Sequence, residues 1–203
     1  ETGDRLPPGP RPAHRLRALR AAGRRALVCY VTAGHPDVAA STRLIRELPD
    51  AGCDVLEVGI PFSDPLADGP IIQGSSQKAL AQGVTLESAL GIIADAKPSV
   101  PVVLFSYLNP VIRAGDDALN RAQAAGVSGV LITDLPVGSD PEREAWLGRG
   151  PLEYVRLVAP TTPLDRMAEI AKHGSGFVYL ISRLGVTGTH EGVGGDLPAT
   201  IAR

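Results

Sequence analysis

The stretch DVLEVGIPFSDPLADGP (residues 54–70) joins a short apolar strand to an acidic loop that contains three prolines. Successive side chains of a strand point to opposite faces, so the aliphatic residues share one face while Glu57 and Gly59 share the other. A carboxylate in a buried strand needs either a basic partner or a chemical task. Arg156 is the one basic residue inside the apolar runs of the chain. We therefore favour acid–base chemistry for Glu57, with room for a ligand above Gly59.

The loop behind this strand carries two more carboxylates, Asp64 and Asp68. Its prolines restrict the backbone, so an acid in the loop can be held in one position. Asp64 is interpreted as a turn or cap residue. Asp68 precedes Gly69-Pro70, and its spacing fits equally well a second acid for the same substrate or the cap of a following helix.

Five other apolar runs are short and rich in Val, Ile and Leu, and they end in Gly, Pro, Asp or Ser. They are ALVCYVTAG (26–34), VPVVLFSY (100–107), GVLITDL (129–135), YVRLVAP (154–160) and GFVYLIS (176–182). The segments between the runs have helical spacing and helix-type caps, such as Thr85 at the start of TLESALGIIADAK. This alternation predicts a parallel sheet with helical crossovers.

Two architectures fit such a sheet: an open doubly wound sheet and a closed barrel. The first run is followed by no Gly-x-Gly-x-x-Gly motif, which argues against a dinucleotide-binding sheet. Polar residues gather where the strands end, as they do in barrel active sites. These residues are Thr32, Glu57, Ser106, Asp134, Thr161 and Ser182. The predicted fold class is therefore α/β, a (β/α)8 TIM barrel that stops after the sixth strand, with the two C-terminal βα units expected to be missing from this chain.

Residues 1–25 contain seven arginines and are expected to form an N-terminal arm or capping helix, with the barrel domain over residues 26–203. A basic arm for nucleic acid is the alternative, but no aromatic side chain interleaves the arginines. The net charge of −2 gives no general reason to expect a nucleic acid or an anionic membrane as partner. No apolar run approaches the ~20 residues that span a bilayer.

The cysteines, Cys29 and Cys53, lie in or beside apolar runs and are expected to be buried free thiols. The four histidines lack the spacing of metal ligands, so no metal site is predicted. We expect a cytoplasmic protein.

The motifs also resemble, in order, those of the tryptophan synthase alpha chain family. The matching segments are YVTAGHPD, LEVGIPFSDPLADGPIIQ, VLFSYLNPV, ITDLP, LVAPTTP and GFVYLISRLGVTG. They extend from about residue 26 to residue 190, which is most of the chain. The resemblance implies a lyase of tryptophan biosynthesis that cleaves indole-3-glycerol phosphate to indole and glyceraldehyde 3-phosphate.

In the family pattern, Glu57 matches the general acid–base group and Asp68 the acid at the indole nitrogen. The resemblance also implies a set of substrate contacts, which are Tyr30, Phe105, Tyr107, Tyr179, Thr187 and Gly188. Thr187 and Gly188 belong to the glycine-rich segment SRLGVTGTHEGVGG (182–195), a type of loop that closes over substrate and binds phosphate. Asp64 and Asn109 fall in loops that dock a beta chain in an alpha2-beta2 tetramer. The resemblance implies no cofactor for this chain, since pyridoxal phosphate belongs to the beta chain.

Two alternatives stay open. The expected loss of the last two βα units, which carry part of the family's phosphate site, suggests a catalytically impaired fragment that acts only as a partner of a beta chain. Separately, a stand-alone lyase that releases free indole is possible, because the alpha and stand-alone enzymes share these motifs.

Overall fold

Six parallel strands form one sheet in sequence order, β1-β2-β3-β4-β5-β6, in the computed structural model, which describes residues 10–181. The strands are β1 (Val28–Thr32), β2 (Val55–Gly59), β3 (Val102–Ser106), β4 (Val127–Ile132), β5 (Glu153–Val158) and β6 (Val178–Leu180). Each of the six predicted runs thus overlaps one strand, although β4 and β5 begin before their runs.

Helices precede β1 and connect the strands. They are α1 (Pro12–Ala21), α2 (Val38–Glu47), α3 (Pro70–Ala81), α4 (Leu86–Ala96), α5 (Leu108–Arg113), α6 (Ala118–Ala124), α7 (Pro141–Arg149) and α8 (Leu164–Lys172). The sequence explains where several begin. Thr85 and Ser88 form a capping box at α4, and the Asp140 carboxylate accepts the Arg143 N–H at the start of α7, where Pro141 occupies the first turn.

The two faces of the sheet bury different partners. The outer face packs against the helices in a large aliphatic cluster that includes Leu56, Val58 and Leu104. The inner face joins strand side chains to one another, with Val103 and Leu131 at its centre. In a doubly wound sheet the strand order reverses and helices cover both faces. Sequential order with the connecting helices on one face is the barrel arrangement, so the barrel prediction is confirmed over the six described strands.

Helix α1 lies at the amino-terminal ends of the strands. The Arg15 guanidinium donates to the Asp54 carboxylate at 2.6 Å, and the Ala13 N–H donates to the Glu153 carboxylate at 3.0 Å. Leu16 packs against the inner cluster. The helix therefore covers the end of the sheet opposite to the strand ends that carry chemistry in barrels. The division into an arm at 1–25 and a barrel at 26–203 stays a prediction. No helix between residues 10 and 181 is long and apolar enough to cross a membrane.

Candidate active site

Glu57 lies in the middle of β2 on the inner face, directly beside Tyr30 of β1 in the strand register. It is 3% exposed, and its Oε1 atom has no hydrogen-bond partner among residues 10–181. Burial raises the pKa of Glu57 from 4.5 to about 7. A carboxyl group in this state holds a proton near neutral pH and can also release it, which is what a general acid–base group requires.

The alternative of a structural ion pair for Glu57 fails because Arg156 is engaged on the other face of the sheet. Its guanidinium donates to the Glu144 carboxylate at 2.7 Å and to the Tyr154 hydroxyl at 2.8 Å, and it lies over the Tyr154 ring. The basic residue that could have neutralised Glu57 therefore has another partner.

Asp68 lies in the loop between β2 and α3 and is 7% exposed. Burial raises the pKa of Asp68, while a hydrogen bond from the Tyr107 hydroxyl acts in the opposite direction. The N-cap residue of α3 is Gly69, and Asp68 itself precedes the cap. The cap interpretation of Asp68 is therefore wrong, because the helix begins one residue further along.

Aromatic side chains surround the two acids. Burial raises the pKa of Tyr30 to about 12, and the charges of Asp68 and Glu57 add to that rise, so the Tyr30 phenol lies close to both carboxyl groups. The Tyr30 and Phe105 rings meet edge to face, with 5.3 Å between their centroids. Burial and the charge of Glu57 also raise the pKa of Tyr179. The inner face thus combines two buried acids with an aromatic wall.

The space above Gly59 is filled by Tyr30. A Cβ atom at Gly59 would lie 2.0 Å from the Tyr30 hydroxyl oxygen. The sequence predicted room for a ligand above Gly59, but in this structure the neighbouring Tyr30 side chain occupies that space. Glycine at this position lets the phenol lie against β2 and next to the acids.

Asp64 and Asn109 line one surface cavity of about 580 Å³. Phe62 and Arg113 line the same cavity, which lies between the β2–α3 loop and α5. The structure therefore brings the two predicted docking residues together, although they are 45 positions apart in the sequence. Both are exposed, as residues at a contact surface must be in the separate chain.

Two hydroxyl contacts near the site are not predicted by the sequence. The Thr32 and Ser75 hydroxyl groups are 2.7 Å apart, and Thr32 also lies 3.5 Å from the Tyr30 hydroxyl. Thr32 carries a sequence signal, since it ends a strand. Ser75 carries none, because the rotation of α3 decides which of its residues faces β1.

Predicted contacts at Thr187 and Gly188 lie outside the described residues. Within residues 10–181, no group of three or more His, Cys, Asp or Glu side chains is arranged to hold a metal ion. The described site is therefore one of carboxyl groups, phenols and aromatic rings.

Comparison with known proteins accounts for this arrangement. The family described as "Tryptophan synthase alpha chain" matches residues 16–203. This chain belongs to that family. The tryptophan synthase alpha chain of Synechocystis is 44% identical over 189 residues, an alignment that covers 91% of this chain and 71% of the relative. The relative from Laribacter hongkongensis is 48% identical over 178 residues, covering 86% of this chain and 67% of the relative.

Solved structures of tryptophan synthase agree with the sequence comparison. Mycobacterium tuberculosis tryptophan synthase superimposes with a TM-score of 0.81 at 35% identity, covering 90% of this chain and 72% of that one. Tryptophan synthase subunit alpha from Legionella pneumophila gives 0.79 at 33% identity, covering 85% and 68%. The tryptophan synthase alpha family places this chain among the lyases of tryptophan biosynthesis.

Proposed function

We propose that this chain cleaves indole-3-glycerol phosphate to indole and glyceraldehyde 3-phosphate by a retro-aldol reaction, with Glu57 and Asp68 as its acids. The observation that carries the proposal is the state of Glu57: buried, unpartnered at Oε1 within the described residues, and with a pKa of about 7. The second acid and the aromatic wall around it suit a flat substrate that must exchange protons.

The reaction breaks the bond between indole C3 and the adjoining side-chain carbon. Glu57 donates a proton to C3, and the side-chain hydroxyl loses its proton as the aldehyde forms. Glu57 accepts that proton, so the group ends in the state in which it began. Asp68 stabilises the positive charge that protonation of C3 places at the indole nitrogen. When the bond breaks, its electron pair returns to the ring, which regains aromaticity while the nitrogen keeps its proton. The electron pair of the broken bond stays within the substrate and no external oxidant or reductant takes part, so the proposed chemistry requires no cofactor.

We assign the aromatic contacts to the indole ring to Tyr30, Phe105 and Tyr179. The edge-to-face pair of Tyr30 and Phe105 supports this assignment, since aromatic rings prefer such contacts. Thr187 and Gly188 remain the predicted contacts to Asp68 and to the phosphate, respectively. Tyr107 is also predicted as a substrate contact, although its hydroxyl is already engaged.

We infer that a beta chain that carries pyridoxal phosphate binds this chain in an alpha2-beta2 tetramer. The cavity that contains Asp64 and Asn109 supports docking at this face, because it is open to solvent and lies beside the loop that carries Asp68. We also expect a cytoplasmic location. Cys29 and Cys53 are free thiols, and free thiols suit a reducing compartment.

Indole release from indole-3-glycerol phosphate by the purified chain tests the proposal. We expect Glu57→Gln and Asp68→Asn each to lower the rate by roughly 100-fold or more, the usual effect of losing an acid–base group. Glu47→Gln is the control, since Glu47 is exposed at the end of α2. A Glu57→Gln protein with the parent rate would overturn the assignment. A parent chain that binds a beta chain but releases no indole would favour the partner-only alternative.

A further inference from the structure

Tyr107 directly follows β3 and is the N-cap residue of α5. It is 4% exposed, although it follows a strand whose end faces the site. Its ring lies against Phe62 of the β2–α3 loop, with 5.1 Å between the ring centroids. The side chain therefore reaches across from one strand end to the loop of the neighbouring strand.

The Tyr107 hydroxyl contacts this loop, where its oxygen accepts the Ala67 N–H at 2.9 Å. Burial raises the pKa of Tyr107 to about 12, and the charge of Asp68 adds to that rise, so the phenol lies close to the carboxyl group. A hydrogen bond from the phenol in turn lowers the pKa of Asp68. A phenol has one proton, so a phenol that donates it to Asp68 has none to donate to a substrate.

The contact from Tyr107 matters for this loop because the tip of the loop is exposed to solvent. Leu66 is 89% exposed, and Ala67 beside it is also exposed. Asp68 follows immediately and is buried. The Asp68 backbone is held by its own N–H to the Pro65 carbonyl at 3.0 Å, but the direction of its carboxyl group depends on a partner from outside the loop.

We propose that Tyr107 is a positioning residue for Asp68 and not a contact to the substrate. Its hydroxyl joins the Asp68 carboxyl group to the Ala67 amide and so fixes where the acid points. The inference deepens the proposed function, on which it rests, by separating the residue that touches indole from the residue that directs the acid.

Tyr107→Phe isolates the hydroxyl, since it keeps the ring contact with Phe62. The Asp68 carboxylate then loses a donor, and its pKa rises by about one unit, the low end for a hydrogen bond to a charged group. The titratable groups that face Asp68 are Tyr107 from the end of β3 and Tyr30 from β1, and Glu57 faces Tyr30 from β2. Both tyrosines keep their protons up to about pH 12, so Asp68 alone titrates in acid.

The first readout is the pH profile of indole release. The acid limb reports ionisation of Asp68, and the alkaline limb reports loss of the Glu57 proton. In Tyr107→Phe we expect the acid limb to move up by about one pH unit, with the alkaline limb unmoved and KM within twofold of the parent. Tyr154→Phe is the matched control: it removes a buried phenol hydroxyl on the outer face of the sheet and should move neither limb. A tenfold rise in KM with an unmoved acid limb would make Tyr107 a substrate contact and overturn the proposal.

The second readout needs no turnover. Carboxyl resonances of the full chain labelled with ¹³C-aspartate are followed with pH, and the Asp68 signal is identified by its loss in Asp68→Asn. We expect its pKa to be about one unit higher in Tyr107→Phe than in the parent and in Tyr154→Phe. An unchanged Asp68 titration would overturn the positioning role even if the chain cleaves indole-3-glycerol phosphate. Conversely, a shifted titration in a chain without lyase activity would refute the proposed function alone.

Discussion

Replacing Glu57 by Gln should make the protein more stable at neutral and alkaline pH while it removes the acid–base group. Burial raises the pKa of Glu57 from 4.5 to about 7, which corresponds to about 3 kcal/mol of free energy against the ionised form in the folded state. Gln has nearly the same shape and no charge, so it avoids that cost. The same desolvation that prepares the acid for chemistry therefore destabilises the fold.

The sign of the effect fixes its pH dependence. Between pH 4.5 and about 7 the folded chain holds the Glu57 proton and the unfolded chain has lost it. Below pH 4.5 Glu57 is protonated in both states and does not lower the free energy of unfolding. As pH rises through 7, the full cost of the buried carboxyl group appears. The gain from Glu57→Gln should thus be near zero at pH 4.5, grow through the window, and level at about 3 kcal/mol above pH 7.

Urea unfolding of parent and variant at pH values from 4.5 to 8.5 measures this difference directly. The exposed control Glu47→Gln should change the free energy of unfolding by less than about 0.5 kcal/mol at every pH. A difference between parent and Glu57→Gln that is constant with pH would show that the carboxyl group is not desolvated in the folded state, and the acid–base argument would lose its basis.

Two further predictions concern packing. Gly59→Ala places a Cβ atom 2.0 Å from the Tyr30 hydroxyl oxygen and should lower the free energy of unfolding in urea titrations by about 1–3 kcal/mol. The control is Gly74→Ala, whose Cβ atom would have no neighbour within 4 Å, and this change should be neutral or stabilising. Arg156→Met leaves the Glu144 carboxylate buried without its partner and should cost about 3–5 kcal/mol, most of which the additional change Glu144→Leu should restore. Equal stability of the single and double variants would contradict the latter.

The strands were predictable because parallel strands buried on both faces are almost continuously aliphatic. The exceptions are two strand starts. Strand β5 begins at Glu153, one residue before its predicted run, and β4 begins at Val127, two residues before its run. Ser128 interrupts the apolar pattern there, but its hydroxyl donates to the Val102 carbonyl at 3.3 Å, so a polar residue can lie in a buried strand. Helix α5 was not predictable from its sequence, because Pro110 within it suggests a turn. Proline is nevertheless tolerated in a first turn, where its missing N–H is not needed.

The position of Glu57 on the inner face was predictable, because alternation along β2 places it there. Local pattern left Asp68 open between a second acid and a helix cap, and the family resemblance favoured the acid. The hydrogen-bond partners near these residues were not predictable. The Tyr107 hydroxyl meets the Ala67 amide across 40 residues, and the Thr32 and Ser75 hydroxyl groups meet across 43. Such pairs depend on the register of strands and the rotation of a helix, which no periodicity within either segment records.

Helix α1 has a consequence for the order of events during synthesis on the ribosome. Its amide at Ala13 bonds to Glu153, 140 residues later, whereas the partner of Arg15 is Asp54, only 39 residues away. The nascent helix can therefore gain its first anchor once β2 has emerged, but its second only when the fifth strand is made. Until then the arginine-rich helix, which is made before all six described strands, has only one of these two anchors, and contacts of such long sequence separation form slowly.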